Sequence, residues 1–248
     1  MPSLKEVRNR ITSVSSTQQI TSAMKMVSAA KLRRAQDAIL QLRPYAEKLQ
    51  EILSNLSSNT DSSEGGAYSV QRDPRKVLIV VISSNRGLAG AFNTNVLKAA
   101  RELVRSKYAN QEAAGNLVWL SIGKKSSDFL TRNKFNVLST HNDLFDGISF
   151  EKVSVVSQRI MDGFLAKEFD RVEIVYNRFK NAAVQILTTE QFLPVPPPAT
   201  PKDGKKSKAI EYIFEPDQQT IVQELIPKSL KTQLYKAVLD SLAAEHGA

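Results

Sequence analysis

An α/β body joined to a long helical element at each end is the fold class this sequence predicts, and three observations predict it. The opening stretch, Ser3 to Leu56, carries a heptad seam through Leu4, Val7, Ile11, Val14, Leu32, Ala35, Ile39, Leu42, Ala46, Leu49, Leu53 and Leu56, which is the pattern of a helix that needs another helix. Lys76 to Ile82 reads KVLIVVI, a continuous β-branched run typical of a strand buried on both faces, as in parallel or mixed sheets. From Pro216 onward, Ile221, Leu225, Leu230, Leu234, Val238 and Leu242 trace an amphipathic helix to the end of the chain. The expected organisation is a helix over 1–56, a linker over 57–74, a Rossmann-like α/β domain with a mixed sheet over 75–215 and a second helix over 216–248.

The first helix is too long for a small domain. Unbroken, it would measure about 80 Å, so it must leave the body. In its middle the seam turns polar at Gln18, Thr21, Lys25 and Ser28, while Ile20, Ala23, Met24, Met26, Val27, Ala29 and Ala30 spread apolar surface around the other faces. One partner helix cannot cover all of that. Arg43-Pro44 interrupts the pattern, yet the seam resumes in register, which predicts one bent helix. Over residues 1 to 43, eight basic side chains (Lys5, Arg8, Arg10, Lys25, Lys31, Arg33, Arg34 and Arg43) stand against Glu6 and Asp37, so this stretch holds most of the chain's net charge of +9. Either the run is a solvated face or it meets an acidic partner. No aromatic residue interleaves it before Tyr45, which disfavours single-stranded nucleic acid and favours acidic protein.

Ser57 to Asp73 is polar, centred on Gly65-Gly66, and reads as an exposed linker. After the first strand, helices are expected over 91–108, 125–132 and 150–164, the last opened by Ser149, with strands over 117–122 and 136–139 between them; this alternation is βαβ topology. Residues 171–178 and 182–188 alternate as two adjacent antiparallel strands. Residues 194–208 hold half of the ten prolines and four lysines, predicting an extended surface loop, with an edge strand at Ile210 to Phe214 after it.

Little in this chain suggests catalysis. There is no cysteine, and only His141 and His246 as histidines, which excludes thiol chemistry and leaves little for a metal. The turn Ser83 to Asn93 lies between strand and helix, where phosphate loops sit, but it matches neither GxGxxG nor GxxxxGK[ST]. Gly123-Lys124-Lys125-Ser126 misses the second pattern because Val118 stands where its leading glycine should be. Arg86, Gly87 and Gly90 are therefore expected to shape a turn, with Gly87 costly to replace if its φ is positive. Asp143, Asp146 and Glu151 have no second group set against them. No cofactor, catalytic residue or metal ligand is expected. No run is apolar enough to span a membrane or serve as a secretory signal, and the chain is expected to be mature and intracellular.

Three stretches carry a family resemblance. Ile20 to Gln36 (ITSAMKMVSAAKLRRAQ) resembles the N-terminal motif of the gamma subunit of rotary ATP synthase. Ser83 to Asn93 resembles that family's strand-to-helix loop, with Asn85 where Asp is usual and Ala89 where Cys often stands. Leu239 to His246 resembles the segment leading into its last helix. The resemblance implies two terminal helices paired antiparallel as a non-catalytic shaft inside a ring of catalytic and non-catalytic subunits, with the α/β domain near the membrane rotor ring and an epsilon subunit. It implies that Arg8, Arg10, Met24, Lys25, Met26, Val27, Lys31, Arg33 and Arg34 face the ring. It also implies a peripheral position on the cytoplasmic face of a bacterial plasma membrane or, alternatively, on the matrix side of the mitochondrial inner membrane. The family's last helix continues past the point where this chain ends, so a shortened second shaft helix is expected, covering the first helix only to about Ser22. A basic nucleic-acid binder and a Rossmann-like enzyme are the competing readings from residues alone.

Overall fold

The computed structural model describes residues 3–58, 67–196 and 218–248. Its first element, α1 (Leu4–Ser58), is one helix of 55 residues with Pro44 inside it, so the seam that resumes after the proline does belong to the same helix. Polar residues are tolerated along its outer length partly because their hydroxyls fold back. Thr12, Thr17 and Thr21 donate to the carbonyls of Arg8, Ser13 and Thr17, four residues earlier in each case.

Five strands form one sheet in the order β3-β2-β1-β4-β5, with β1 at Val77–Ile82, β2 at Leu117–Ile122, β3 at Val137–His141, β4 at Arg171–Asn181 and β5 at Val184–Leu193. The first four are parallel, and β5 pairs antiparallel with β4, so the sheet is mixed. Between them lie α2 (Phe92–Lys107), α3 (Ala109–Ala113), α4 (Lys124–Arg132), a 3-10 turn (Asp143–Phe145) and α5 (Phe150–Leu165), and α6 (Gln218–Gly247) follows. Ser149 caps α5, its hydroxyl accepting from the Lys152 amide.

Strand β1 explains the layering. Its alternate residues Leu78, Val80 and Ile82 join a core with α5 and α6, while Val77, Ile79 and Val81 join another with α2 and α4. All six are fully buried, which is why the strand reads as an unbroken apolar run. The chain steps outward from β1 to β2 and β3, then returns to the other side of β1 for β4. Right-handed crossovers therefore place α2 and α4 on one face and α5 on the other.

The hairpin strands run further than their alternation predicts, and each end has a cause. Asn181 Oδ1 accepts from the amides of Ala183 and Val184, closing a tight turn at the far end. At the near end Phe192 and Leu193 are buried in the core, with Leu193 opposite Val172. The short α3 has no buried residue and no periodic signature. The expected edge strand at Ile210 to Phe214 and most of the proline-rich loop lie outside the described residues, as do Pro216 and the middle of the linker.

Helices α1 and α6 pair antiparallel. Ile52 and Leu53 pack with Ile226 and Leu230 in the core of the body, while Ala35 and Ile39 pack with Leu239, Ala243 and Ala244 further out. Cover of α1 stops sooner than expected: every described residue before Ser28 is exposed. The expectation of Ser22 set the beginning of α6 against Leu53. In fact Ile226 and Leu230, two to three turns into α6, stand at that level, so its last turn reaches only the neighbourhood of Leu32 and Ala35.

Candidate partner-binding surface

In an open α/β sheet, ligands bind outside the carboxyl ends of the strands where the strand order reverses. Here that point lies between β1 and β4, and the protein fills it. Ala89, from the loop after β1, and Phe92, which opens α2, are buried with Ala35 and Ile39 of α1, Phe179 of β4, and Leu239, Ala243 and Ala244 of α6. The Asn177 amide donates to the Phe92 carbonyl at 3.3 Å, locking loop to sheet. What would be a ligand crevice is the socket in which the helix pair is rooted.

The second possible phosphate loop is closed at the atomic level. The first amides of α4 would have to point at an anion, but those of Lys124, Lys125 and Ser126 donate to Asn85 Oδ1, the Ser84 carbonyl and Ser83 Oγ at 2.8 to 3.0 Å. Ser84 Oγ donates to the Arg86 carbonyl at 2.6 Å, and its amide donates to Asn93 Oδ1 at 2.9 Å. Asn85 Nδ2 also donates to the Asn142 carbonyl at 2.7 Å, a bond that an aspartate at this position could not supply.

The glycines divide differently from expectation. Gly87 has no positive φ, and an added Cβ would meet only the end of Lys125 at 3.7 Å. Gly90 does have a positive φ, of 51°, as does the exposed Leu88 at 64°. Of the glycines in these two turns, the one that admits no side chain is Gly123: its φ is 105°, and a Cβ there would lie 2.3 Å from the Ser83 carbonyl oxygen. The same residue that imitates a phosphate motif in the sequence is held by strand-to-helix packing.

The expected partner residues share one environment. Arg8, Arg10, Met24, Lys25, Met26, Val27, Lys31, Arg33 and Arg34 are all exposed on α1. Met24 to Val27 are consecutive, so at 100° per residue they surround the helix and do not form a stripe. Leu4, at 82% of its full exposure, and Ile11, Val14, Ile20 and Met26 present apolar surface among those charges. Arg10 makes only an exposed pair with Glu6 at 3.2 Å, worth little in water. Apolar groups interspersed with cations on every side suit a partner that encircles the helix.

Where the cover ends, charge gathers. Glu245, half-buried in the last turn of α6, has its carboxyl pushed up to about 7 by burial, against the opposing pull of Lys31 and Arg86. Burial, with the same two cations, holds His246 below its ordinary range. Deeper in, Asp240 is fully buried, with Arg43 Nη2 at 3.6 Å as the cation paired with it; burial raises its carboxyl above the ordinary range. Sequence reasoning did not single out Asp240. Among the described residues no cluster of His, Asp or Glu could hold a metal ion, and no helix is long and apolar enough to cross a membrane.

An antiparallel helix pair rooted in an α/β body whose strand-order switch point is filled by its own side chains defines a stalk-like protein. Residues 3–248 match the family model described as ATP synthase. The chain is 54% identical over 248 residues to the ATP synthase gamma chain of Flavobacterium johnsoniae and 50% identical to that of Cytophaga hutchinsonii, in each case over all of this chain and 84% of the relative. The fold resembles a chain from the central stalk and c-ring structure of Tetrahymena thermophila mitochondrial ATP synthase, with a TM-score of 0.65 at 21% identity over 92% of this chain and 95% of that one. A chain of the Euglena gracilis mitochondrial ATP synthase rotor gives 0.59 at 21% identity, over 97% and 85%. This chain belongs to the ATP synthase gamma-chain family.

Proposed function

We propose that this chain is the non-catalytic central shaft of an ATP synthase, coupling ion-driven rotation to ATP synthesis in a surrounding ring. The outer part of α1 is the surface presented to that ring. The observation that carries the reading is the antiparallel pair of α1 and α6 rooted in the α/β body, in a chain 54% identical to an ATP synthase gamma chain. A shaft must leave each rotational state as readily as it enters it, so no one state can be bound much more tightly than the others. Scattered cations and single apolar side chains supply many weak contacts and no deep anchor. The catalytic and non-catalytic ring subunits are the partners of the tip, with Arg8, Arg10, Met24, Lys25, Met26, Val27, Lys31, Arg33 and Arg34 as the contacting residues; the epsilon subunit and the membrane rotor ring are the partners of the body.

The bacterial relatives support a place on the cytoplasmic face of the plasma membrane, reached through the complex. The nucleic-acid reading of the basic helix finds no support in these relatives. Reversing charge in Arg33→Glu/Arg34→Glu tests the tip: in a reconstituted complex, ATPase rate or assembly should change, and more at low salt than at high salt. Unchanged hydrolysis and assembly at both salt levels would make the basic surface merely solvated.

A further inference from the structure

Beside the root of the helix pair, between α1, α6 and the β4–β5 hairpin, lies a cleft of about 450 Å³ lined by Arg43, Glu47, Arg178, Lys180, Lys236 and Asp240 among others. Four cations meet there, and among the described residues two carboxylates line it with them. The nearby Glu190 is occupied outside the cleft, accepting from the Tyr176 hydroxyl at 2.8 Å and from Gln233. Of the cations, Arg43 alone is engaged at short range, donating to the Phe179 carbonyl at 3.3 Å and standing 3.6 Å from Asp240. Both Asp240 oxygens are buried without a hydrogen-bond partner. Among the described residues the side chains of Arg178, Lys180 and Lys236 line the cleft without a hydrogen bond or ion pair to a protein group, so their donors are free for an acceptor that enters it.

We propose that this cleft binds a phosphate-class oxyanion, held by Lys180 and Lys236 with the guanidinium groups of Arg43 and Arg178. Guanidinium and ammonium groups from α1, β4 and α6 line this one cleft and can supply charge-assisted donors from three sides, which a flat basic patch does not. The volume exceeds what orthophosphate fills and lies within the range of clefts that hold larger ligands, so free phosphate, pyrophosphate and the phosphate tail of a nucleotide share the same chemistry. The basic groove along α2 fits less well. Its three cations, Lys98, Arg101 and Arg105, all come from one helix, and Arg101 is placed over the Phe135 ring. The inference is independent of the shaft reading.

Titration of the purified chain with orthophosphate, pyrophosphate and ATP, followed by calorimetry, tests it and separates the sources. Saturable binding by at least one is expected, weakened about tenfold or more in Lys180→Gln/Lys236→Gln and unchanged in the control Lys98→Gln/Arg105→Gln. Asp240→Asn supplies a test of opposite sign. Removing the local negative charge should tighten binding by about tenfold, and the anion should raise the melting temperature of that variant more than that of the parent. No saturable binding at millimolar concentrations overturns the proposal, as does equal loss in the control pair. Unchanged or weaker affinity in a folded Asp240→Asn variant does the same. Should that variant fail to fold, the two lysine pairs decide alone.

Discussion

From Ala35 to Leu53 the seam of α1 is packed against α6 and the body; from Leu4 to Val27 the same seam faces water. Ile39 and Ile11 occupy equivalent places in the repeat, yet one is 2% exposed and the other 63%. A heptad pattern reports that a helix has a face to cover and says nothing of where the cover comes from. Among the described residues the inner part of the helix is tied to the body, and the outer part makes no contact with it.

The largest difference should appear in amide exchange. Isolated helices are marginal in water unless packing supports them, so in the purified chain amides from Val7 to Gln19 should exchange with little protection. Protection should rise from Ser28 inward and be greatest in β1, where opening requires global unfolding. Protection of Val7 to Val14 equal to that of β1 in a demonstrated monomer would remove the contrast altogether.

Side-chain truncation should repeat the contrast in stability. Ile39→Ala deletes buried contacts at the helix interface and should cost about 2 to 5 kcal/mol in urea unfolding, whereas Ile11→Ala should stay within about 0.5 kcal/mol.

The socket beneath the inner part gives a sharper pair. Gly123→Ala forces a methyl group against the Ser83 carbonyl at a φ of 105° and should cost about 1 to 3 kcal/mol. Gly87→Ala, with ordinary φ and open space around it, should be close to neutral. Equal thermal shifts in the two variants would mean that the loop relaxes, and that the root is less rigid than its packing implies.

These pairs also mark what was legible in the sequence. Strand β1 was readable because both its faces are buried, and α1 because its seam resumes after Pro44 without a change of register. That the turn from Gly123 lacks the leading glycine of a phosphate loop was readable at Val118. The roles of Gly87 and Gly123 were not, since both follow strands and only the three-dimensional approach of Ser83 separates them. The level at which α6 stops was missed by nearly two turns of helix, because helix lengths do not fix the offset of a pair. Asp240 went unnoticed because a buried acid among cations has the same local spelling as a surface acid.

The smallest expected effect lies at the boundary between the two regions, in the half-buried Glu245 beside Lys31. Its carboxyl has a folded-state value of about 7 against an ordinary 4.5, so the folded protein favours the neutral form. Its contribution to stability is then fully present below the unfolded value and is lost as pH rises from about 4.5 through about 7. Asp240, also raised by burial, acts in the same sense. His246 is depressed and acts in the opposite one, its contribution present above its unfolded value and lost as pH falls through the folded one. A melting curve of the parent alone would mix the three, whereas the difference between parent and Glu245→Gln isolates one. Because the variant stays neutral at every pH, it should gain on the parent across that window and hold a constant advantage above it. The gain should be modest, since the carboxyl is only partly buried and solvent screens it. A difference that does not vary between about pH 4 and pH 8 would mean that Glu245 is as well solvated as the side chains of the bare tip, and would move the boundary of the covered region inward by at least one turn of α6.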